Sequence, residues 1–212
     1  MIVKEPEATF EKILVEPGTY PARCYALIDM GTQSYEYQGE TIKQRKIGIS
    51  FELPLELAIF NPENGEQPFT LHKELSATLS EKGKLRPFLE SWRGKDFTSE
   101  EVKGFEMKNL LDKTCMLTIK HGTSKKGNAY AEISGIGKAM KGLELPEHIN
   151  PLVYFSFDEP EQKVFDGLHK FVREKIEKSP EYKVWQGIQQ SPEEKSFAEV
   201  MRSESKEEDI PF

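Results

Sequence analysis

Aromatic and basic side chains stand close together at several places in this sequence. Such mixtures hold single-stranded nucleic acid, because bases stack on aromatic rings while cations follow the phosphate backbone. Each stacked base contributes about 1–3 kcal/mol. The candidate DNA-binding residues are Tyr35, Tyr37, Lys43, Arg45, Lys46, Lys120, His121, Lys125, Lys126 and Tyr130.

Some of these aromatic residues have a competing structural interpretation. Trp92 precedes Arg93 and Lys95, but it falls on the apolar side of a predicted helix, so core packing is the favoured interpretation. Tyr37 and Tyr130 have mostly polar or small neighbours. For these two tyrosines, surface stacking and packing both remain open.

The last six residues form a second kind of candidate site. Two apolar side chains, Ile210 and Phe212, follow an acidic run that is otherwise polar. Phe212 can fill an apolar pocket, its terminal carboxylate can meet a basic residue, and the acids can steer the approach. The predicted partner-binding residues are Glu207, Glu208, Asp209, Ile210, Pro211 and Phe212.

Motifs for catalysis and metal binding give no positive signal. The four histidines form no HExxH pattern, and the loop 122–127 lacks the Lys-Ser/Thr pair of a phosphate-binding loop. Cys24 and Cys115 are too far apart in sequence for a CxxC zinc pair. We therefore expect no enzyme activity, no cofactor and no metal.

The net charge of -7 would disfavour nucleic acid if it were evenly spread. Residues 191–212 carry seven acids against three bases, which accounts for -4. Residues 82–95 carry five bases and one acid, and residues 113–141 carry six bases and one acid. Because phosphates respond to local potential, these basic stretches are compatible with DNA binding. Ordinary solvated faces are an equally good interpretation from charge alone.

Hydrophobic patterning predicts a mainly β fold with helices (α+β). Strand signals begin at residue 19, recur at residues 47–53 in an alternation typical of a half-buried strand, and return at 69–75, 115–121 and 129–136. Residues 33–38 are expected to be a connector. A helix is predicted at 83–93, between the third and fourth strands, and Thr98 begins a shorter one. This order is that of a five-stranded OB-fold barrel, which binds oligonucleotides.

The C-terminal part predicts helices and then a tail. Apolar residues recur at helical spacing from Val164 to Ile176, which indicates one amphipathic helix over residues 161–177, and a shorter helix follows Pro180. Beyond residue 190 the chain is polar and acidic, which predicts disorder. The expected units are an OB-fold domain (1–158), a helical extension (159–190) and an acidic tail (191–212).

Two resemblances refine these expectations. Asp209-Ile-Pro-Phe212 is similar to the C-terminal tip of bacterial single-stranded-DNA-binding proteins, although Glu207 and Glu208 stand where aspartates are common. Residues 89–97, 104–111, 115–121 and 127–131 resemble a tailed-bacteriophage family of OB-fold single-stranded-DNA-binding proteins. Together the resemblances cover about residues 19–142 and the last four positions. Residues 161–189 match no motif of that family.

The resemblances imply a protein that binds and protects single-stranded DNA during phage replication or recombination. The tip would recruit replication, repair or recombination proteins in the cytoplasm of the bacterial host. An alternative is an interaction protein that presents the tip to host receptors without binding DNA. A nuclease acting on DNA ends would need clustered carboxylates that bind Mg²⁺. The sequence contains no membrane-spanning segment and leaves open whether the protein forms homo-oligomers.

Overall fold

A computed structural model describes residues 13–187 of the chain. Its strands are β1 Gly18–Tyr37, β2 Glu40–Ala58, β3 Gln67–Ser76, β4 Thr114–Thr123, β5 Ala129–Lys138 and β6 Val153–Phe155. Its α-helices are α1 Leu85–Arg93, α2 Ser99–Lys103, α3 Gln162–Gly167, α4 Lys170–Ile176 and α5 Pro180–Trp185. The predicted acidic tail and its tip lie outside the described residues. Among the described residues, no helix is both long and apolar enough to cross a membrane.

The strands form one mainly antiparallel sheet with the order β3-β2-β1-β4-β5. β6 runs parallel to β1 and pairs with residues 26–28, where β1 has left β4. The prediction of a mainly β fold is confirmed, as is the helix between the third and fourth strands. β6 adds a short sixth strand to the five that the sequence predicted.

The connector predicted at residues 33–38 is wrong, because β1 continues through it to Tyr37. β1 and β2 pair without interruption from Gly31–Lys46 to Tyr37–Glu40. Gln38 and Gly39 make the turn with positive φ angles of 52° and 83°, as a two-residue hairpin requires. We call residues 31–46 the β1–β2 arm. Both faces of the arm are exposed to solvent over much of its length, so its residues are mostly polar. The sequence therefore lacks the apolar alternation that indicates a strand.

The main core lies on one side of the sheet. Alternate residues of β2, β4 and β3 pack there against Leu89 and Trp92 of α1, and the Phe51 and Trp92 rings are 5.2 Å apart. We call this side the inner face and the opposite side the outer face. Gly94 ends α1 in the left-handed conformation, and Thr98 and Glu101 form the predicted capping box at the start of α2.

β2 is not half-buried as its alternation predicted. Residues 47–54 are buried on both faces, and Gly48, Ser50 and Glu52 occupy the outer one. Ser50 Oγ lies 3.0 Å from His72 Nδ1. The carboxylate of Glu52 accepts hydrogen bonds from the backbone and side-chain nitrogens of Asn150. The segment after β5 therefore crosses this part of the outer face. The alternation of apolar and polar residues in β2 could not indicate that another segment buries its polar side.

β3 and β5 are the two ends of the strand order, and within residues 13–187 no backbone ladder joins them. Their edges nevertheless approach each other. Lys73 of β3 extends its side chain across the gap and donates a hydrogen bond of 2.8 Å to the carbonyl of Ile133 in β5. An open groove of about 950 Å³ lies beside these edges, where Phe60, Phe69 and Ala131 contribute to its lining.

The C-terminal helices pack on the outer face of β1 through a second hydrophobic cluster. Ala26, Ile28 and Met30 of β1 meet Phe165, Leu168 and Ile176 there. The single helix predicted over residues 161–177 is wrong, because Leu168 is extended and separates α3 from α4. His169 then caps α4, with its Nδ1 accepting from the N–H of Phe171. The apolar spacing is continuous across the break because Leu168 still faces the cluster.

Candidate nucleic-acid interface

The β1–β2 arm divides its predicted DNA-binding residues between two faces. Successive side chains of a strand point to opposite sides, and the register places Tyr35, Tyr37 and Lys46 on one side. Lys43 and Arg45 lie on the other side, across from Ser34 and Thr32. The side with the tyrosines continues the outer face of β2, since Lys46, Gly48 and Ser50 alternate along that strand. Tyr35 and Tyr37 are therefore outer-face residues.

Tyr35 and Lys46 form one polar cluster with two residues that the sequence did not single out. The ammonium of Lys46 lies 5.3 Å from the centroid of the Tyr35 ring. It also donates hydrogen bonds to Gln44 Oε1 at 2.9 Å and Ser76 Oγ at 3.0 Å. Partial burial lowers the pKa of Lys46. The cluster holds a cation beside an aromatic ring that is 40% exposed, an arrangement suited to a base and its adjacent phosphate.

Arg45 has a structural partner instead of an open position. Its guanidinium hydrogen-bonds both carboxylate oxygens of Asp29 and lies 3.8 Å from Asp158. The hydrogen bond to Asp29 raises the pKa of Arg45. Since two carboxylates already surround this cation, the geometry gives it a role in holding β2 to β1. Lys43 lies farther out on the same side of the arm.

The hairpin of β4 and β5 places Lys120 and Tyr130 on the outer face. Lys120 faces Glu132 across the ladder, and their charged atoms are 2.9 Å apart. Tyr130 lies opposite Gly122, and a Cβ built on that glycine would come within 2.7 Å of the tyrosine ring. The absence of a side chain at Gly122 thus leaves room for the hydroxyl end of the Tyr130 ring beside the strand. This close approach sets the orientation of Tyr130.

The remaining predicted residues of this hairpin differ in their surroundings. His121 points to the other side, where its Nε2 lies 2.8 Å from the carbonyl oxygen of Val15. Lys125 and Lys126 are exposed in the turn between Ser124 and Asn128. Hydrogen bonds within that turn fix its backbone. The two lysines can therefore reach a phosphate without rearrangement of the strands.

The two hairpin tips lie at opposite ends of β1. The β4–β5 tip lies beyond Gly18, which pairs with Ile119, whereas the arm extends beyond Gly31. The predicted residues do not form a single patch. The outer face of β2 and β3 lies between the two groups.

The two aromatic residues of the run 92–97, Trp92 and Phe97, are buried. Trp92 is only 4% exposed and its indole N–H donates to the carbonyl of Thr114, so the expectation of core packing is confirmed. The Arg93 guanidinium stacks on the Phe97 ring at 4.2 Å and pairs with Glu101. Lys95 also pairs with Glu101, at 3.2 Å. This run stabilises the α1–α2 connection.

One exposed aromatic residue escaped the sequence analysis. Phe171 belongs to the apolar period that predicted the helix, yet its side chain is 60% exposed. The charged residues Lys170 and Arg173, which are close to Phe171 in sequence, could have indicated this exposure. Within residues 13–187, no group of three or more His, Cys, Asp or Glu side chains has an arrangement that could hold a metal ion.

No protein-family model matches the chain, and no curated protein matches it either. Assignment of a function therefore depends on the geometry described above and on the motifs of the sequence.

Proposed function

We propose that this protein binds single-stranded DNA on the outer face of its sheet, without a preferred base sequence and without catalysis. The observation that carries the proposal is the pair of hairpins at opposite ends of β1. One exposes Tyr35 and Tyr37, the other exposes Tyr130 with Lys125 and Lys126. Aromatic rings and cations are thus available at both ends of one face.

The strand order supports an OB-fold barrel as the finer description of the sheet. In this fold the loops between strands 1 and 2 and between strands 4 and 5 bind oligonucleotides, together with the face of strands 2 and 3. The β1–β2 arm and the β4–β5 hairpin occupy those two positions. We propose that Lys73 and Ile133 mark the seam at which the barrel closes.

The proposed roles of the residues follow from their surroundings. Bases stack on Tyr35, Tyr37 and Tyr130, which are exposed aromatic rings. Phosphates contact Lys46 at the arm and Lys125 and Lys126 at the hairpin tip, with Lys43 and Lys120 as further cations. Arg45 and His121 act indirectly, because their contacts are with the protein's own carboxylates and a carbonyl.

Oligo-dT titration tests the proposal. Fluorescence anisotropy at low salt is expected to show binding to a labelled dT oligonucleotide, weak binding to a duplex of the same length, and loss of affinity as salt rises. Tyr37→Ala and Tyr130→Ala are each expected to weaken binding by about 1–3 kcal/mol. Met140→Ala, which removes an exposed apolar side chain that belongs to neither hairpin, is the matched control. Equal affinity for single strands and duplex contradicts the proposal.

The acidic tip completes the proposed function as a recruiting element. Phage replication or recombination in the bacterial cytoplasm is the proposed setting, and host or phage replication and repair proteins are the proposed partners. Deletion of Phe212 is expected to abolish pull-down of such partners. Removal of residues 191–212 is expected to leave DNA affinity equal or slightly higher, because the tail charge of -4 competes with phosphate for the same cations. Unchanged pull-down without Phe212 rules out recruitment by the tip.

The alternative is an interaction protein that presents the tip and does not bind DNA. The observation that favours it is the division of the arm residues between two faces, with Arg45 committed to Asp29. The two functions separate in one comparison. Under the alternative, partner pull-down depends on Phe212 whereas the anisotropy of labelled dT stays constant at every protein concentration.

A further inference from the structure

We propose that helix α4 belongs to the same DNA-binding surface, with Phe171 as a base-stacking residue and the cations of α4 as phosphate contacts. This inference rests on the proposed function. It gives the C-terminal helices a direct part in binding, whereas the second hydrophobic cluster shows only that they pack on β1.

The exposure of Phe171 is the first argument. Its ring is 60% exposed, as much as Tyr37 at 57% and more than Tyr35 at 40%. Its neighbours Val172 and Ile176 face the second hydrophobic cluster and hold the helix in place. Phe171 therefore contributes little to that packing, and its ring is available to a ligand.

The charge of the helix is the second argument. α4 carries Lys170, Arg173 and Lys175 against Glu174, which gives a local charge of +2 on an acidic chain, and Glu177 and Lys178, which follow it, cancel. The ammonium of Lys175 lies 4.9 Å from the centroid of the Phe171 ring. The same pairing of a lysine with an exposed ring occurs between Lys46 and Tyr35.

The position of the helix on the sheet is the third argument. Lys175 pairs with Glu74 of β3, and Glu74 alternates with Ser76 on the outer face. Ser76 in turn accepts a hydrogen bond from Lys46, next to Tyr35. The base of the arm also contacts α4 directly, because the Gln33 side chain donates a hydrogen bond of 3.1 Å to the backbone carbonyl of Lys175. The contacts of α4 and those of the arm thus meet at neighbouring outer-face residues of β3, Glu74 and Ser76.

Single-stranded DNA is the occupant that these observations favour. A second protein molecule could also cover an exposed phenylalanine, but a surface that alternates rings and lysines is complementary to bases and phosphates. Glu74 partly neutralises Lys175, and Glu174 lies 3.8 Å from Lys170. The phosphate contacts fall mainly on Lys170, at the exposed start of α4, and on Lys178, which is exposed two residues beyond its end. A strand leaving Tyr35 of the arm would then continue onto α4 at Phe171.

Fluorescence of a Phe171→Trp variant of the full chain tests the inference directly. Stacking of a thymine on the new indole is expected to quench its emission on addition of oligo-dT, beyond the change of the wild-type protein, whose tryptophans are Trp92 and Trp185. Phe171→Ala is expected to weaken dT binding about 5- to 100-fold, within the range for loss of one stacked base. Val184→Ala on α5, which is 51% exposed, should bind as the wild type does.

The outcomes separate this inference from the function on which it rests. If wild type and all variants fail to bind dT, the proposed function fails. If dT binds but Phe171→Ala binds equally well and the emission of the Phe171→Trp variant changes only as the wild type does, α4 lies outside the surface and only this inference is overturned. If the wild type self-associates by analytical ultracentrifugation and Phe171→Ala does so less, with dT affinity unchanged, the inference is likewise overturned and Phe171 serves an interface between copies.

Discussion

The carboxylate of Glu181 in α5 accepts two hydrogen bonds from Thr32 at the base of the β1–β2 arm. Its Oε2 lies 2.8 Å from the backbone nitrogen and its Oε1 lies 2.6 Å from the hydroxyl. Ser179, at the start of the same helix, packs against Gly31, whose φ is 65° and where a Cβ would clash with the serine. The C-terminal helices therefore fix the point from which the arm extends.

Loss of the two hydrogen bonds between Thr32 and Glu181 is expected to make local opening of the arm more frequent. Hydrogen bonds to a charged group contribute about 1.5–3 kcal/mol each when buried, and this pair is only partly buried. We expect Glu181→Gln to increase amide exchange in residues 31–46 by about tenfold, which corresponds to about 1.4 kcal/mol of local opening free energy, as measured by hydrogen–deuterium exchange. Peptides from residues 114–138 should exchange as in the wild type.

A double-mutant cycle assigns that effect to the pair. Thr32→Val removes the hydroxyl but leaves the backbone donor, so Thr32→Val and Glu181→Gln together should cost less than the sum of the two single changes, by about 1 kcal/mol. Glu174→Gln, which alters an exposed carboxylate on α4, is the matched control. Additive effects of the two changes would show that Glu181 acts independently of Thr32.

Crowding at Gly122 is expected to affect DNA binding through Tyr130. In Gly122→Ala the new methyl group would meet the tyrosine ring, so the ring must leave its place against β4. We expect affinity for oligo-dT to fall by the same order as in Tyr130→Ala, with the far-UV circular dichroism unchanged. Gly135→Ala places a Cβ 3.5 Å from Thr118, an ordinary contact, and should bind normally. Normal binding by both Gly122→Ala and Tyr130→Ala would remove Tyr130 from the surface.

The ion pair between α4 and β3 predicts a pH dependence of stability. The imidazole of His72 and the ammonium of Lys175 lower the pKa of Glu74 from 4.5 to about 2. Because the folded pKa is the lower one, the stabilisation is complete above pH 4.5 and is lost as the pH falls towards 2. The side chains are about one-third exposed, so the contribution is about 1 kcal/mol or less.

Thermal melts of Glu74→Gln test that dependence. At pH 7 the variant should melt about 2–4 °C below the wild type, and the difference should shrink as the pH falls below about 4. Glu100→Gln, which removes an exposed partner of Lys103, controls for the loss of a surface charge. A difference that stays constant as the pH is lowered from neutral towards 2 contradicts the assigned pKa.

The two cysteines are expected to be unreactive while the protein is folded. Both are buried in the main core. Burial raises the pKa of Cys24 to about 12 and raises the pKa of Cys115 as well. Since the thiolate is the reactive form, iodoacetamide at mildly alkaline pH should label neither thiol in the native protein and both in denaturant, as read by mass spectrometry. Rapid labelling under native conditions would show that the core opens locally.

The order of strands and helices could be predicted from the sequence because apolar residues recur at a regular spacing within each element. The spacing is every second residue in the strands and every third or fourth in the helices. The arm could not be distinguished from a connector, since residues 33–38 alternate polar and aromatic side chains around no buried face. The break at Leu168 was hidden for the opposite reason. An extended residue there keeps its side chain in the second cluster, so the apolar spacing survives without a continuous helix.

The sequence could predict which types of side chain form the candidate site, but not how they are arranged on the sheet. Sequence alone could mark Tyr35, Lys46 and Tyr130 as suitable side chains, yet only the register shows which of them share the outer face. Arg45 has the same chemistry as Lys46 in the sequence, but its contact with Asp29 depends on where the bulge in β1 places that carboxylate. Phe171 required the opposite correction, from an assumed core position to an exposed one.

The Lys73 bridge has a mechanical consequence. Neighbouring strands elsewhere in this sheet share ladders of backbone hydrogen bonds, whereas β3 and β5 meet through a lysine side chain whose methylene groups can stretch and rotate. Under a load that pulls those two edges apart, the sheet should yield first along this line, and the β1–β2 and β4–β5 ladders would stay intact. The distance between these two edges should therefore adjust more readily than the spacing of the strands within either ladder.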